Sequence, residues 1–144
     1  ALGVIASMQP IHAVADRELA DREWGSRTGY AYAWGALARA GATLAFGSDA
    51  PVESAQPLLG LDAAVNWRRL AGWHPELAVS AGQGLAAYTV GAAYAAGMEG
   101  RTGRLRPGHL CDLTVIEGDG VSATVVGGRV VFRRRRRRPA SPAS

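Results

Sequence analysis

One cysteine, three histidines and no lysine occur among the 144 residues. A single thiol, Cys111, excludes an internal disulfide and fits a reducing, cytoplasmic setting. No apolar run approaches the eighteen or so residues of a membrane span, because charges or glycines interrupt each stretch. No signal peptide precedes the first segment, which starts at Ala1 and already has strand character, so a cut is expected there rather than a natural terminus. With lysine absent, all sixteen basic residues are arginine, and six of them form the run at residues 133–138. Without that run ten arginines face twelve acids, a net charge of −2, so the pI near 10.0 belongs to the tail. A basic pI is therefore no argument for nucleic-acid binding by the body of the chain. The run could hold phosphates of RNA, DNA or acidic lipid with strong salt dependence, but it carries no interleaved aromatics for base stacking. Followed by Pro, Ala and Ser, residues 133–144 are expected to be disordered.

What is present is a chain of single-domain length, 48% hydrophobic, enough for a packed core. Residues 3–8 are partly β-branched and stop at Gln9-Pro10, which predicts a strand. Residues 13–24 mix acids, arginines and alanines and fit a surface helix or a loop. Tyr30, Trp34, Leu37 and Ala38 fall on one helical face, which predicts a helix over residues 30–40 stopped by Gly41. Residues 43–46 then form a strand that runs into Gly47-Ser48-Asp49. Helix, glycine, strand is the αβ half of a βαβ unit and favours a parallel sheet. A helix is predicted over residues 57–69, with proline in its first turn. Ser80 and Gln83 have the spacing of a capping box. Thr89 is expected to cap a separate short helix over residues 92–96. After Gly97 the pattern changes to β-branched runs at residues 110–116, 121–126 and 129–132, with Gly127-Gly128 as a two-residue hairpin turn.

Two predicted strands end in residues able to bind metal or move protons: His12 after "QPIH" and Asp49 after "GSD". In parallel α/β barrels the C-terminal strand ends form the active-site face. Imidazole and carboxylate together suit a divalent ion. Asp49 could equally form an Asx turn or cap a helix, and a lone histidine is more often a hydrogen-bonded loop residue than a ligand. Two ligands also fall short of the three or more that a catalytic metal needs. Asp16 could orient a ligand but reads rather as a solvated residue, and Glu53 reads as exposed. His74 and His109 read as structural, and Cys111 as a small hydrophobe opening a strand. Trp34, Trp67 and Trp73 read as core or pocket wall, and Trp24 as lining an edge or a pocket.

The segments "GVIASMQPIHAVAD", "YAYAWGALARAGATLAFGSDAPVE", "LAAYTVGAAYAAG", "GRLRPGHLCDLTVI" and "TVVGGRVV" resemble, in order, the C-terminal half of the metal-dependent amidohydrolase superfamily. The similarity is to the amidohydrolase-3 group, which includes N-substituted formamide deformylases, and runs from about Gly3 to Phe132. The resemblance implies an α/β fold: the C-terminal part of a (β/α)8 TIM-type barrel over residues 1–100, then strands of a small composite β-sandwich over residues 101–132. It implies a divalent metal, zinc by preference. His12 would be the ligand from the sixth barrel strand, and Asp49 the eighth-strand ligand and general base. The implied reaction is hydrolysis of a non-peptide C–N bond in a small amide-type substrate. No His-x-His motif of the family's first strand occurs here, and a whole barrel takes roughly 250 residues. The chain alone is thus expected to be inactive. Gly35, Gly82 and Gly84 replace charged residues common in relatives, and the loop at Asp119-Gly120 is shorter. An open sheet edge would favour homo-oligomers; neither nucleic acid nor membrane is expected as a partner.

Overall fold

The computed structural model describes residues 3–118 and 120–134. Asp119, the arginines at 135–138 and the rest of the tail lie outside the described residues, and with them most of the expected disordered segment. Its first two positions are ordered: Arg133 closes a strand and the Arg134 amide donates to the Ser122 carbonyl at 2.8 Å. The described residues divide into two compact units between Arg104 and Leu105.

In the first unit β1 (Ile5–Met8) and β2 (Thr43–Phe46) pair in parallel, from Ile5 opposite Thr43 to Met8 opposite Phe46. The crossover between them holds α1 (His12–Trp24), a 3₁₀ segment (Gly25–Tyr30) and α2 (Trp34–Arg39). Helix α2 starts four residues later than the apolar spacing predicts. Tyr32 lies in the left-handed region at φ 52°, which breaks the helix, and Tyr30 stays 85% exposed in the 3₁₀ segment. The helix ends as expected: Gly41 at φ 82°, with Gly41 N on Ala38 O and Ala42 N on Leu37 O, both 3.0 Å, is a Schellman stop. Leu44, Ala45 and Phe46 are all buried, as in a strand covered on both faces. Trp34, Phe46 and Tyr88 then stack edge to face, with centroids 6.3 and 5.6 Å apart. Trp73 is buried too, whereas Trp24 is half exposed.

The remaining helices carry wide turns. Helix α3 (Pro57–Asp62) continues through a π-helical turn (Ala63–Trp67) into α4 (Arg68–Leu70), covering the one predicted helix and one residue beyond it. Helix α5 (Ala81–Ala86) likewise continues through a π-helical turn (Ala87–Gly91) into α6 (Ala92–Ala95). Thr89 is therefore not a cap. Its hydroxyl donates to the Leu85 carbonyl at 2.7 Å, which lets a threonine sit inside a helix. The Ser80 box forms completely, with Gln83 N on Ser80 Oγ at 3.2 Å and Ser80 N on Gln83 Oε1 at 2.9 Å. Ser80→Ala should cost about 1 kcal/mol. All four tryptophans precede residue 105, so a urea titration followed by tryptophan fluorescence reads this unit alone. An unchanged midpoint would mean the cap is idle.

The second unit is an antiparallel meander, β3 (Leu113–Glu117), β4 (Gly120–Val126) and β5 (Arg129–Arg133). Gly127 and Gly128, at φ 56° and 79°, make the predicted two-residue turn. Strand β3 begins three residues later than expected, because the preceding segment braces that turn: Asp112 Oδ1 accepts from Gly127 N at 2.7 Å and Cys111 O from Gly128 N at 2.9 Å. Cys111 is accordingly exposed and does not pack as a small hydrophobe. No helix among the described residues is long and apolar enough to cross a membrane.

Candidate functional site

The β1 ladder stops at Pro10, which has no amide hydrogen to donate. The next turn is helical, with His12 N on Gln9 O at 3.2 Å, so His12 opens α1 just beyond the C-terminal end of β1. At the end of β2 the Gly47 amide adds one more bond to Met8 O, at 3.2 Å, and the chain then turns sharply at Asp49, at φ 57°. The two strand ends thus bring together two residues 37 positions apart. His12 Nε2 lies 3.0 Å from Asp49 Oδ2.

The two sequence readings of Asp49, turn former and functional carboxylate, turn out to use different atoms. Its backbone carbonyl closes the turn, accepting from Val52 N at 2.9 Å and Glu53 N at 3.3 Å. Its carboxylate goes to His12 instead of to the local backbone. The same turn folds Glu53 back, placing Oε1 3.9 Å from His12 Nδ1. The His12 and Glu53 side chains are 22% and 25% exposed and that of Asp49 50%, so the imidazole is sheltered while Asp49 opens to solvent.

The other candidates lie elsewhere. Asp16 accepts a hydrogen bond from the Tyr32 hydroxyl, and burial followed by this carboxylate raises the phenol well above its ordinary value. His74 Nε2 lies 2.9 Å from Thr28 Oγ1 and its Nδ1 3.5 Å from Glu76 Oε1, a link between loops. Arg106 Nε donates to His109 Nδ1 at 3.2 Å. The sequence reading missed two contributors. The Tyr88 hydroxyl, its ionisation disfavoured by burial, reaches the Gly47 carbonyl beneath the Asp49 turn at 3.4 Å. Arg68 is fully buried between the Trp34 and Trp73 rings, and burial pushes its guanidinium down to about 10.

His12 and Asp49 offer one nitrogen and one oxygen donor. Two ligands about 2.1 Å from a tetrahedral ion stand about 3.4 Å apart, so the 3.0 Å separation fits two places of a donor set. Among the described residues no group of three His, Cys, Asp or Glu side chains could complete it. The direct pairing of β1 with β2 also corrects the strand assignment implied by the resemblance. Neighbouring strands with no third between them cannot be the sixth and eighth of a barrel; His12 and Asp49 come from consecutive strands.

A βαβ unit with His and Asp at the C-terminal ends of its paired strands defines an α/β class; in parallel α/β barrels that edge is the active-site face. A model of the amidohydrolase family matches residues 1–132, and the chain belongs to that family. It is 31% identical over 149 residues to Protein LONG AFTER FAR-RED 3 of Arabidopsis thaliana, covering 91% of this chain and 25% of that protein. Two solved structures are similar, both of uncharacterized metal-dependent hydrolases. The Pyrococcus furiosus protein matches with a TM-score of 0.66 at 33% identity, over 75% of this chain and 22% of its own. The Pyrococcus horikoshii OT3 protein matches with a TM-score of 0.67 at 31% identity, over 75% of this chain and 23% of its own. The chain spans about a quarter of the length of the curated relatives it matches.

Proposed function

We propose that the chain is the C-terminal part of a metal-dependent amidohydrolase that cleaves non-peptide C–N bonds of the amide or formamide type. Its first unit contributes the last strands of a (β/α)8 barrel and its second unit the strands of a small β-sandwich. The observation that carries the reading is the His12–Asp49 pair, 3.0 Å apart at the C-terminal ends of adjacent parallel strands. His12 and Asp49 would hold a divalent ion, zinc by preference, with further ligands from the rest of the barrel. Such an ion, when bound, acidifies water and polarises a carbonyl. Asp49, half exposed and turned away from its own backbone, accepts the proton that water loses as its oxygen adds to the carbonyl carbon. The same proton passes to the nitrogen as the C–N bond breaks, leaving a carboxylic acid and an amine.

Asp49→Asn keeps the shape and removes the base. In the protein extended by its upstream coding sequence, kcat/KM for an N-formyl amine should fall about 1,000-fold. A loss under tenfold would remove Asp49 from the proton path. The 144-residue chain alone should show neither tight zinc binding nor turnover. One tightly held zinc and amide hydrolysis by this chain would overturn its role as part of a larger site. Turnover of esters but not amides by the extended protein would overturn the C–N assignment.

A further inference from the structure

The His12 ring stands between two carboxylates, one on each nitrogen. Nε2 meets Asp49 Oδ2 at 3.0 Å, and Nδ1 faces Glu53 Oε1 at 3.9 Å, an ion-pair separation longer than a hydrogen bond. Both acids leave the same turn, closed by the amides of Val52 and Glu53 on the Asp49 carbonyl, so the backbone sets both residues on the His12 side. The Glu53 side chain is only 25% exposed, and His12 is the cation-capable group beside it. On the sequence alone Glu53 reads as exposed; the left-handed Asp49 reverses the chain and returns it to the site.

We propose that Glu53 is a positioning residue for His12: facing Nδ1 from the Asp49 turn, it fixes the imidazole so that Nε2 is presented on the Asp49 side. The proposal rests on the reading of His12 as a metal-site residue. A ligating histidine commonly gives its second N–H to a carboxylate, which sets ring orientation and donor strength, and loss of such a partner costs 10- to 100-fold in metal affinity. Glu53 meets this need from four residues beyond Asp49, so one short segment supplies both a ligand and the support for its neighbour.

Cobalt(II) titrated into the extended protein, followed by its visible spectrum and by the hyperfine-shifted imidazole N–H resonances, tests this without any turnover. His12→Ala should abolish one exchangeable N–H resonance and most of the affinity. Glu53→Ala should weaken cobalt binding at least tenfold and speed solvent exchange of that same resonance. Glu53→Gln, which keeps a carbonyl acceptor in place, should restore most of the affinity and slow the exchange again. If His12→Ala loses the resonance while Glu53→Ala leaves affinity and exchange unchanged, the positioning role is overturned and the ligand role stands. If His12→Ala binds cobalt like the parent protein, the ligand role itself falls.

Discussion

Arg68→Met should destabilise the first unit by about 2–5 kcal/mol, the cost of leaving two buried carbonyls without their donor. The guanidinium joins helix α4 to two other segments. Nη2 donates to the Ala31 and Tyr32 carbonyls, both at 2.9 Å, and Nη1 to the Trp73 carbonyl at 3.2 Å. Trp34 and Trp73 cover its faces at 4.4 and 4.6 Å. Desolvation works against the arginine, as its lowered pKa records, and its buried Nε has no partner among the described residues. Methionine relieves that cost and fills part of the slot. The Tyr32 carbonyl keeps the Trp34 amide at 2.9 Å, but the buried Ala31 and Trp73 residues lose the donor to their carbonyls, each costing about 1–3 kcal/mol when buried and unpaired. The carbonyl loss therefore outweighs the desolvation gain. Arg68→Lys should fall between, because one ammonium cannot span the fork. Urea unfolding read by tryptophan fluorescence checks both. A Met variant within 1 kcal/mol of the parent would show that the carbonyls find other donors or water.

Features set by neighbours in sequence were legible before the structure. The Gly41 stop, the Ser80–Gln83 box and the Gly127-Gly128 turn depend on a few consecutive residues, and each formed as its local chemistry requires. His12 and Asp49 were legible as strand-end residues, because an apolar run broken by Pro or Gly announces where a strand stops. Their pairing was not, since nothing in a single chain states strand order. Arg68 escaped because an arginine on an amphipathic helix reads as solvated, and its burial depends on Trp34 and Trp73 arriving from other elements. The π-helical turn around Thr89 escaped for the same reason: it answers to a contact with β2, and local signals there favour an ordinary cap.

That contact gives the second large effect. Gly91→Ala should cost about 3 kcal/mol, at the upper end of overpacking penalties, although alanine is the better helix former by about 1 kcal/mol. A Cβ at Gly91 would fall far inside the 3.0 Å that real Cβ atoms keep, and the atom it meets is the Leu44 carbonyl oxygen. No side-chain rotation relieves a clash with backbone. Either the helix backs off or β2 moves, and both choices disturb the site. Tyr88, in the same π-helical turn, would lose its reach to the Gly47 carbonyl, and β2 carries the turn that aims Asp49 at His12. The control is Gly82→Ala in α5, where nothing lies within 4 Å of the new Cβ. There only helix propensity acts, and stability should rise by about 0.5–1 kcal/mol. Opposite signs for the same substitution, measured by urea midpoint, would trace the Gly91 cost to the approach of helix to strand. A stabilised Gly91→Ala would mean that β2 yields freely, and Asp49 would then owe its position to its own turn rather than to the helix packed behind it.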